Sequence, residues 1–398
     1  MSHYLLGDDL SGVLEAGAAF RVQGWRVVLP LVASEAGVEP DLLRLVTTES
    51  RNLPAAEAAT AVRRVVRQGR ESGLTLVLKK IDSTLRGPLG AELGAIVAEL
   101  APPLMVVCSA NPAAGRTIRH GVLWVHGVPL AETDFRHDPH WPARESRVRE
   151  HLRTQGLEVA GELTQAELRE NPGDALRRMR SAGTVVLADA EEMDDLRRLV
   201  RAVRREEPRA LFVGSGALAT VLAQEQPIPG SAAPSRPVTS ALLLLSGTHH
   251  PATHRQLDHL ARTSGIRVHD YWVGRDDFAA GVASVTAAYR ERPLVALRLG
   301  ADERLGAEAS TAVLAAAAEF AVVLDHQVQP KAWFVTGGET AWRVCHALHG
   351  TALEVLSELE PGVVASTLWR AQAPPCTLIT KPGGFGDAAA LNRICGFR

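Results

Sequence analysis

The chain has 398 residues, 46% of them hydrophobic and 22% charged, more than one core usually supports and enough for two. Its 43 basic and 45 acidic side chains leave a net charge of -2, and only 5% of residues are aromatic, so neither a nucleic-acid partner nor an anionic membrane is expected. No apolar run is expected to span a membrane, and the opening MSHYLLGDDLSG lacks the basic start of a signal peptide, which makes the cytoplasm the expected location.

In the first half, apolar strand patterns fall at 3–6, 25–31, 74–79, 104–109, 184–188 and 210–213. Helical patterns fall between them at 12–23, 55–70, 90–100 and 191–205, the last with Met193, Leu196, Leu199 and Val203 as a stripe. The segment 227–238, PIPGSAAPSRPV, reads as a linker. Beyond it strands are predicted at 241–245, 266–272, 294–299, 332–336, 353–356 and 377–380, with helices at 251–263, 276–291, 306–321 and 339–348. Such alternation predicts an α/β fold with two domains, 1–226 and 239–398, each a mostly parallel sheet flanked by helices. The scattered Cys108, Cys345, Cys376 and Cys395 read as buried small hydrophobes.

Nearly every strand runs into a polar or glycine-rich loop, and in open α/β sheets ligands bind beyond the carboxyl ends of the strands. GDDLSG (7–12) offers Asp8, Asp9 and Ser11. They read either as a simple helix cap, with Ser11 placed to cap a helix near Gly12, or, since two adjacent carboxylates exceed what a cap needs, as a cap beside a carboxylate that binds a hydroxyl or acts as a base. KKIDSTLRG (79–87) is the densest loop. It reads either as a solvated turn with a cap at Ser83 or Thr84, or as a site in which Arg and Lys hold an anion and Asp holds hydroxyls, suited to a small polyhydroxy acid. Gly115–Arg116 is a turn or an anion grip. His126 and His137, on a hairpin-like stretch at 122–139, and His140 just after it match no metal spacing.

In the second half SGTHH (246–250), TGGET (336–340) and KPGGFGD (381–387) each follow a strand, and the first two open helices. Glycine loops at helix N-termini bind anions through backbone N–H groups, and three together suit a nucleotide's phosphates. No Walker A or GxGxxG pattern is present. Lysine stands only at Lys79, Lys80, Lys331 and Lys381, every other basic residue being arginine, and three of the four lie in these loops.

Over essentially its whole length the chain resembles the four-carbon acid sugar kinase family. The resemblance is carried by GDDLSG, KKIDSTLRGPLGAEL, NPAAGRTIRHGVLWVHGVPLAETDF and GSGALA in the first half, and by LLLLSGTHHPATHRQL, WFVTGGETAWRV, ELEPGV and TKPGGFGD in the second. It implies a sugar-binding domain, a nucleotide-binding domain and an active site in the cleft between them. The implied reaction is ATP-dependent phosphorylation of the terminal hydroxyl of threonate, erythronate or a 3-oxo-tetronate, with Mg2+ bridging the phosphates. On that reading Arg86 and Lys80 hold the acid's carboxylate, with Ser83 and Arg116 in the same site. Asp8 and Asp82 hold hydroxyls, and Asp9 is the candidate base with Asp82 as the alternative. Ser246, Gly247, Gly337, Gly338, Glu339, Thr340, Pro361, Gly362, Lys381, Gly383 and Gly384 line the nucleotide, and no protein metal site is expected. Partners are the sugar acid and ATP, with a possible homo-oligomer. Ser11, Glu15, Glu339 and Pro382 depart from the family's more usual residues. The rival readings are a non-catalytic sugar-acid and nucleotide sensor, and a nicotinamide-dependent dehydrogenase.

Overall fold

A computed structural model describes residues 3–32, 41–138, 140–228, 241–248 and 250–397. Most of the proposed linker, 229–238, and His249 of SGTHH lie outside them. The chain forms two compact units, one holding residues up to Trp25 and most of the chain to position 231, the other holding Arg26–Ala36 and everything from 232 onward.

The first unit is built on a parallel sheet ordered Leu42–Thr47, His3–Gly7, Thr75–Lys80, Leu211–Gly214, Met105–Cys108, Val185–Ala188, Gly161–Leu163. Its central strands are apolar at successive positions because helices cover both faces. The register brings strand ends to one level: Gly7 lies beside Thr47 and Lys80, and Gly214 beside Lys80 and Cys108. The stripe on Met193–Glu206 faces the core through Leu196, Leu199, Val200 and Val203. The 122–139 stretch contributes to a small antiparallel sheet, Arg116–Arg119, Val122–Val125 and Val128–Pro129.

The second unit orders Val268–Val273, Leu294–Ala301, Leu242–Ser246, Ala332–Thr336 and Cys376–Lys381 in parallel. Val363–Arg370, Gly350–Glu360 and Arg26–Pro30 then follow antiparallel. Arg26–Pro30 therefore departs from the sequence reading that grouped 25–31 with the first half. Ser246, Thr336 and Lys381 share one row at the strand ends. Leu242, Leu244, Phe334 and Ile379 pack with Leu257, Leu260 and Leu391 as the core on one side of this sheet.

Three further expectations change. The first helix is Leu10–Val22, capped by Asp9 and not by Ser11, because Asp9 holds the extended backbone a cap requires and its Oδ1 accepts from Gly12 N at 3.1 Å. Neither Ser83 nor Thr84 caps a helix: the next one, Leu89–Leu100, starts after Pro88 without a side-chain cap. Finally, Ala309–Val328, with a mean hydropathy of 1.3 over its most apolar window, is long and apolar enough to cross a membrane by length and composition. It lies against the second unit's core through Val313, Ala316, Ala317, Phe320, Ala321 and Leu324, and Asp325 near its end pairs with Arg370 at 2.7 Å. All four cysteines are buried and free.

Candidate functional site

In the first unit the aligned strand ends deliver charge to one place. Asp8 follows the His3–Gly7 strand and is 1% exposed. Arg51, from the loop after Leu42–Thr47, reaches Asp8 through Nε at 2.7 Å and Nη2 at 3.1 Å, and the same Nη2 lies 2.6 Å from Asp9 Oδ1. Burial alone would push the Asp8 carboxyl up, but Arg51 with Lys79 and Lys80 holds it below the usual carboxylate range. Arg51 was not found from the sequence. The signal was present, since TTESR is a polar stretch after an apolar one like the other site loops, but the LLRLVT strand before it went unread.

Lys79 and Lys80 are adjacent on a strand and so point to opposite faces. Lys79 is fully buried and pairs with Glu92 at 2.7 Å. Lys80 lies 3.6 Å from Glu15 and donates to Ile81 O at 3.1 Å. A Cβ on Gly12 would stand 3.0 Å from the Lys80 ammonium, so that glycine gives the lysine its space beside Asp9.

Asp82 turns back onto its own loop. Its oxygens accept from Arg86 Nη2 at 2.8 Å, Arg86 Nε at 3.0 Å and Thr84 N at 3.1 Å, as well as from the Thr84 hydroxyl. Against burial, Arg86 and Arg51 hold this carboxyl well below its ordinary range. Arg86 Nη1 remains on the other side, 3.6 Å from Asp138. Ser83 is half-buried on the same turn. Arg116 faces the charges of Asp82, Arg86 and Glu15. Burial pulls its guanidinium down, and its Nε has no hydrogen-bond partner among the described residues. The unit thus brings Asp8, Asp9, Lys80, Asp82, Arg86 and Arg116 together around Arg51, an arrangement suited to an anionic ligand that also carries hydroxyls.

In the second unit the Ser246, Thr336 and Lys381 row opens into three loops. The Thr336 hydroxyl bonds to Ser246 Oγ at 2.8 Å. Gly247 packs so closely on Thr340 that a Cβ would stand 2.7 Å from its Oγ1. Helix Gly338–Ala347 starts on Gly337, φ 96°, which has no side chain of its own to cap the first N–H groups. Glu339 is exposed on that first turn.

The 381–387 loop is held from beneath through its carbonyls. Lys381 Nζ donates to Pro382 O at 3.0 Å and Gly383 O at 3.4 Å, and the Thr253 hydroxyl donates to Gly383 O at 2.7 Å. Gln256 Nε2 donates to the carbonyls of Phe385, Gly386 and Asp387 at 2.9, 2.8 and 2.9 Å. In a trans peptide the N–H points opposite the C=O, so the N–H groups of Gly383 and Gly384 face away from this support. Lys381 is fully buried, no carboxylate among the described residues pairs with it, and burial pulls its ammonium down to about 8. Pro361–Gly362 joins the same loop: Glu358 accepts from Gly362 N at 2.7 Å, and Gly362 leaves space for the Phe385 ring. Thr253 and Gln256 were missed from the sequence because they sit inside a helix pattern more than 100 positions before the loop they hold.

Two family models match the chain. A family model described as a sugar-binding N-terminal domain matches residues 3–222, and one described as a nucleotide-binding C-terminal domain matches 243–391. A Bordetella bronchiseptica protein named D-threonate kinase is 34% identical over 98% of this chain and 95% of its own. A solved structure from Salmonella typhimurium LT2 shares the fold with a TM-score of 0.80 over 98% of both chains, at 22% identity. A Bordetella bronchiseptica structure of the family formerly called a domain of unknown function is 32% identical with a TM-score of 0.51, over 100% of this chain and 99% of that one. It is a domain-swapped dimer with bound citrate. The chain belongs to the four-carbon acid sugar kinase family, with a sugar-binding domain followed by a nucleotide-binding domain.

Proposed function

We propose that the protein is an ATP-dependent kinase that phosphorylates the terminal hydroxyl of a four-carbon sugar acid, D-threonate first. One observation carries this reading. The two units end their parallel strands in two chemically different sites, one of arginine, lysine and aspartate, the other of outward-facing glycine N–H groups. A sensor needs only one of them.

The acid's carboxylate is taken by Lys80, Arg86 Nη1 and Arg116, with Ser83 on the same turn. Its hydroxyls are taken by Asp8 and Asp9. Asp82, with both oxygens engaged, fixes Arg86 and is a poor proton acceptor. Asp9 Oδ1 is shared by Gly12 N and Arg51, and its second oxygen orients the attacking hydroxyl. The phosphates rest on Ser246, Gly247, Gly337, Gly338, Thr340, Gly383 and Gly384. Glu339, Pro361 and Gly362 border them, and Lys381 supports the loop from below. Phosphoryl transfer needs this positioning and charge neutralisation more than covalent help. Magnesium would come with ATP and supply neutralisation of phosphate charge. The described residues hold no group of three or more His, Cys, Asp or Glu side chains placed to bind a metal ion. The expected setting is the cytoplasm, where ATP is available. A homo-oligomer is the expected assembly, supported by the dimeric Bordetella relative.

The test is ADP release with D-threonate, D-erythronate and a 3-oxo-tetronate. At least one acid should release ADP in step with its phosphate ester. Arg86→Ala should raise the KM for that acid about 10- to 100-fold, the worth of a charged hydrogen bond, and leave ATP binding intact. Binding of both ligands without turnover would establish the sensor, and a change in nicotinamide absorbance the dehydrogenase. Lost ATP affinity in Arg86→Ala would overturn the division of sites.

A further inference from the structure

The loop 47–51 is zipped onto the start of the site by its main chain. Thr48 N donates to Gly7 O at 3.1 Å, and Ser50 N and Arg51 N donate to Asp8 O at 3.0 and 3.3 Å. Its side chains divide the work. The Thr48 and Ser50 hydroxyls bond to each other at 2.6 Å, and Ser50 continues to the buried Glu92. Arg51 spans Asp8 and Asp9. Glu49, between them, takes neither route. Its backbone lies in the left-handed region at φ 46°, uncommon for a residue with a long side chain and frequent where a site imposes its own geometry. One carboxyl oxygen accepts from Thr47 Oγ1 at 2.5 Å, which fixes the group beside the Gly7–Asp9 turn.

We infer that Glu49 takes the proton of the attacked hydroxyl while Asp9 orients that hydroxyl. This rests on the kinase reading above. The hydroxyl oxygen forms its bond to the γ-phosphorus, and the bond from that phosphorus to the bridging oxygen of ATP breaks, with its electron pair leaving on ADP. The O–H proton passes to the Glu49 carboxylate and from there to solvent as product leaves. The other carboxylates are less suited. Asp82 is bound through both oxygens by Arg86, and Asp8 is gripped twice by Arg51. The groups that act on Glu49 agree with the role. Burial and the charges of Asp9 and Asp8 push its carboxyl up, the Thr47 hydrogen bond and Arg51 pull it down, and the balance stands at about 8, near the working pH a general base needs.

The experiment measures kcat against pH for the full chain, Glu49→Gln and Glu49→Asp, with ATP and D-threonate. The unaltered protein should show a kcat that rises with pH through a midpoint near 8. Glu49→Gln should lose that limb and about 100-fold in kcat, and Glu49→Asp should recover part of it. The KM values should stay within about threefold. A Glu49→Gln protein that keeps the limb, or that raises the acid's KM at unchanged kcat, overturns the inference. A second readout does not need turnover. A carboxyl raised from 4.5 to about 8 keeps in the folded state a proton that the unfolded chain has shed, so stability falls as pH rises through that window. Glutamine removes the effect, and the Tm gap in favour of Glu49→Gln should widen across the window. A flat gap overturns the assignment of the titrating group whatever the activity. A widening gap with no ADP release from any acid overturns the kinase reading, and the catalytic role with it.

Discussion

Lys79 shows what a single residue reveals and conceals. Its rarity is visible in a chain that otherwise writes arginine, and so is its place in the densest polar loop. Its partner is not, because Glu92 belongs to a helix pattern and meets Lys79 only when that helix folds back on the sheet. The pair is wholly buried, and Ser50 of the Arg51 loop donates to the same carboxylate, so this lysine acts behind the site and not in it. Removing one partner of a buried pair leaves the other charge uncompensated. Lys79→Met should therefore cost about 3–5 kcal/mol in urea unfolding, and adding Glu92→Leu should recover most of the loss. Lys331→Met, at an exposed position, should change stability by less than about 0.5 kcal/mol. A Lys79→Met protein as stable as the parent would show that the pair contributes little. Asp9 and Asp82 teach the complementary lesson. Their motifs are plain in the sequence, but Asp82 is held by Arg86 of its own loop, whereas Asp9 meets Arg51 from a loop that only the fold brings beside it.

At the level of elements, periodicity placed most strands and helices, because short apolar runs and 3.6-residue stripes are local properties. Two strands stayed unread although their residues carry apolar runs. The Leu42–Thr47 strand was one, and Arg51 and Glu49 were lost with it. Val363–Arg370 was another, although it pairs along its length with Gly350–Glu360. The glycine loops were legible as candidate phosphate cradles, but the support that turns their carbonyls inward was not, since Thr253 and Gln256 come from a helix more than 100 positions earlier. Gly337 tests the cradle at this scale. At φ 96° an alanine is strained, and its Cβ would stand 3.2 Å from Thr340 Oγ1. Gly337→Ala should cost about 1–3 kcal/mol and raise the KM for ATP at least about tenfold, with the acid's KM nearly unchanged. Gly94→Ala is the control. It lies inside helix Leu89–Leu100 with open space around it and should add about 0.5–1 kcal/mol without touching either KM. An equal rise in both KM values for Gly337→Ala would argue against a nucleotide role for that helix start.

For the molecule as a whole, composition and the polar seam near 227–238 divide the chain into two, and the structure adds a crossing the seam does not announce. The WRVVLPL pattern identifies a strand but not the sheet it joins, because alternation of side chains fixes faces and leaves the neighbour open. Arg26–Pro30 joins the second unit, with Val28, Leu29 and Pro30 beside Glu354, Leu353 and Ala352, and Leu31 N donating to Thr351 O at 2.9 Å. A fragment that begins after the seam would leave the Gly350–Glu360 strand an open edge, a template for self-association. The full chain tests the same point more cleanly. Leu29 is 1% exposed, and Leu29→Ala should cost about 2–4 kcal/mol. Although this residue stands early in the sequence, the loss should fall on the calorimetric transition that ATP raises and leave the transition that the sugar acid raises in place. A shift confined to the sugar-acid transition would assign the strand to the first unit. It would also return the division of the chain to the simple one that its sequence suggests.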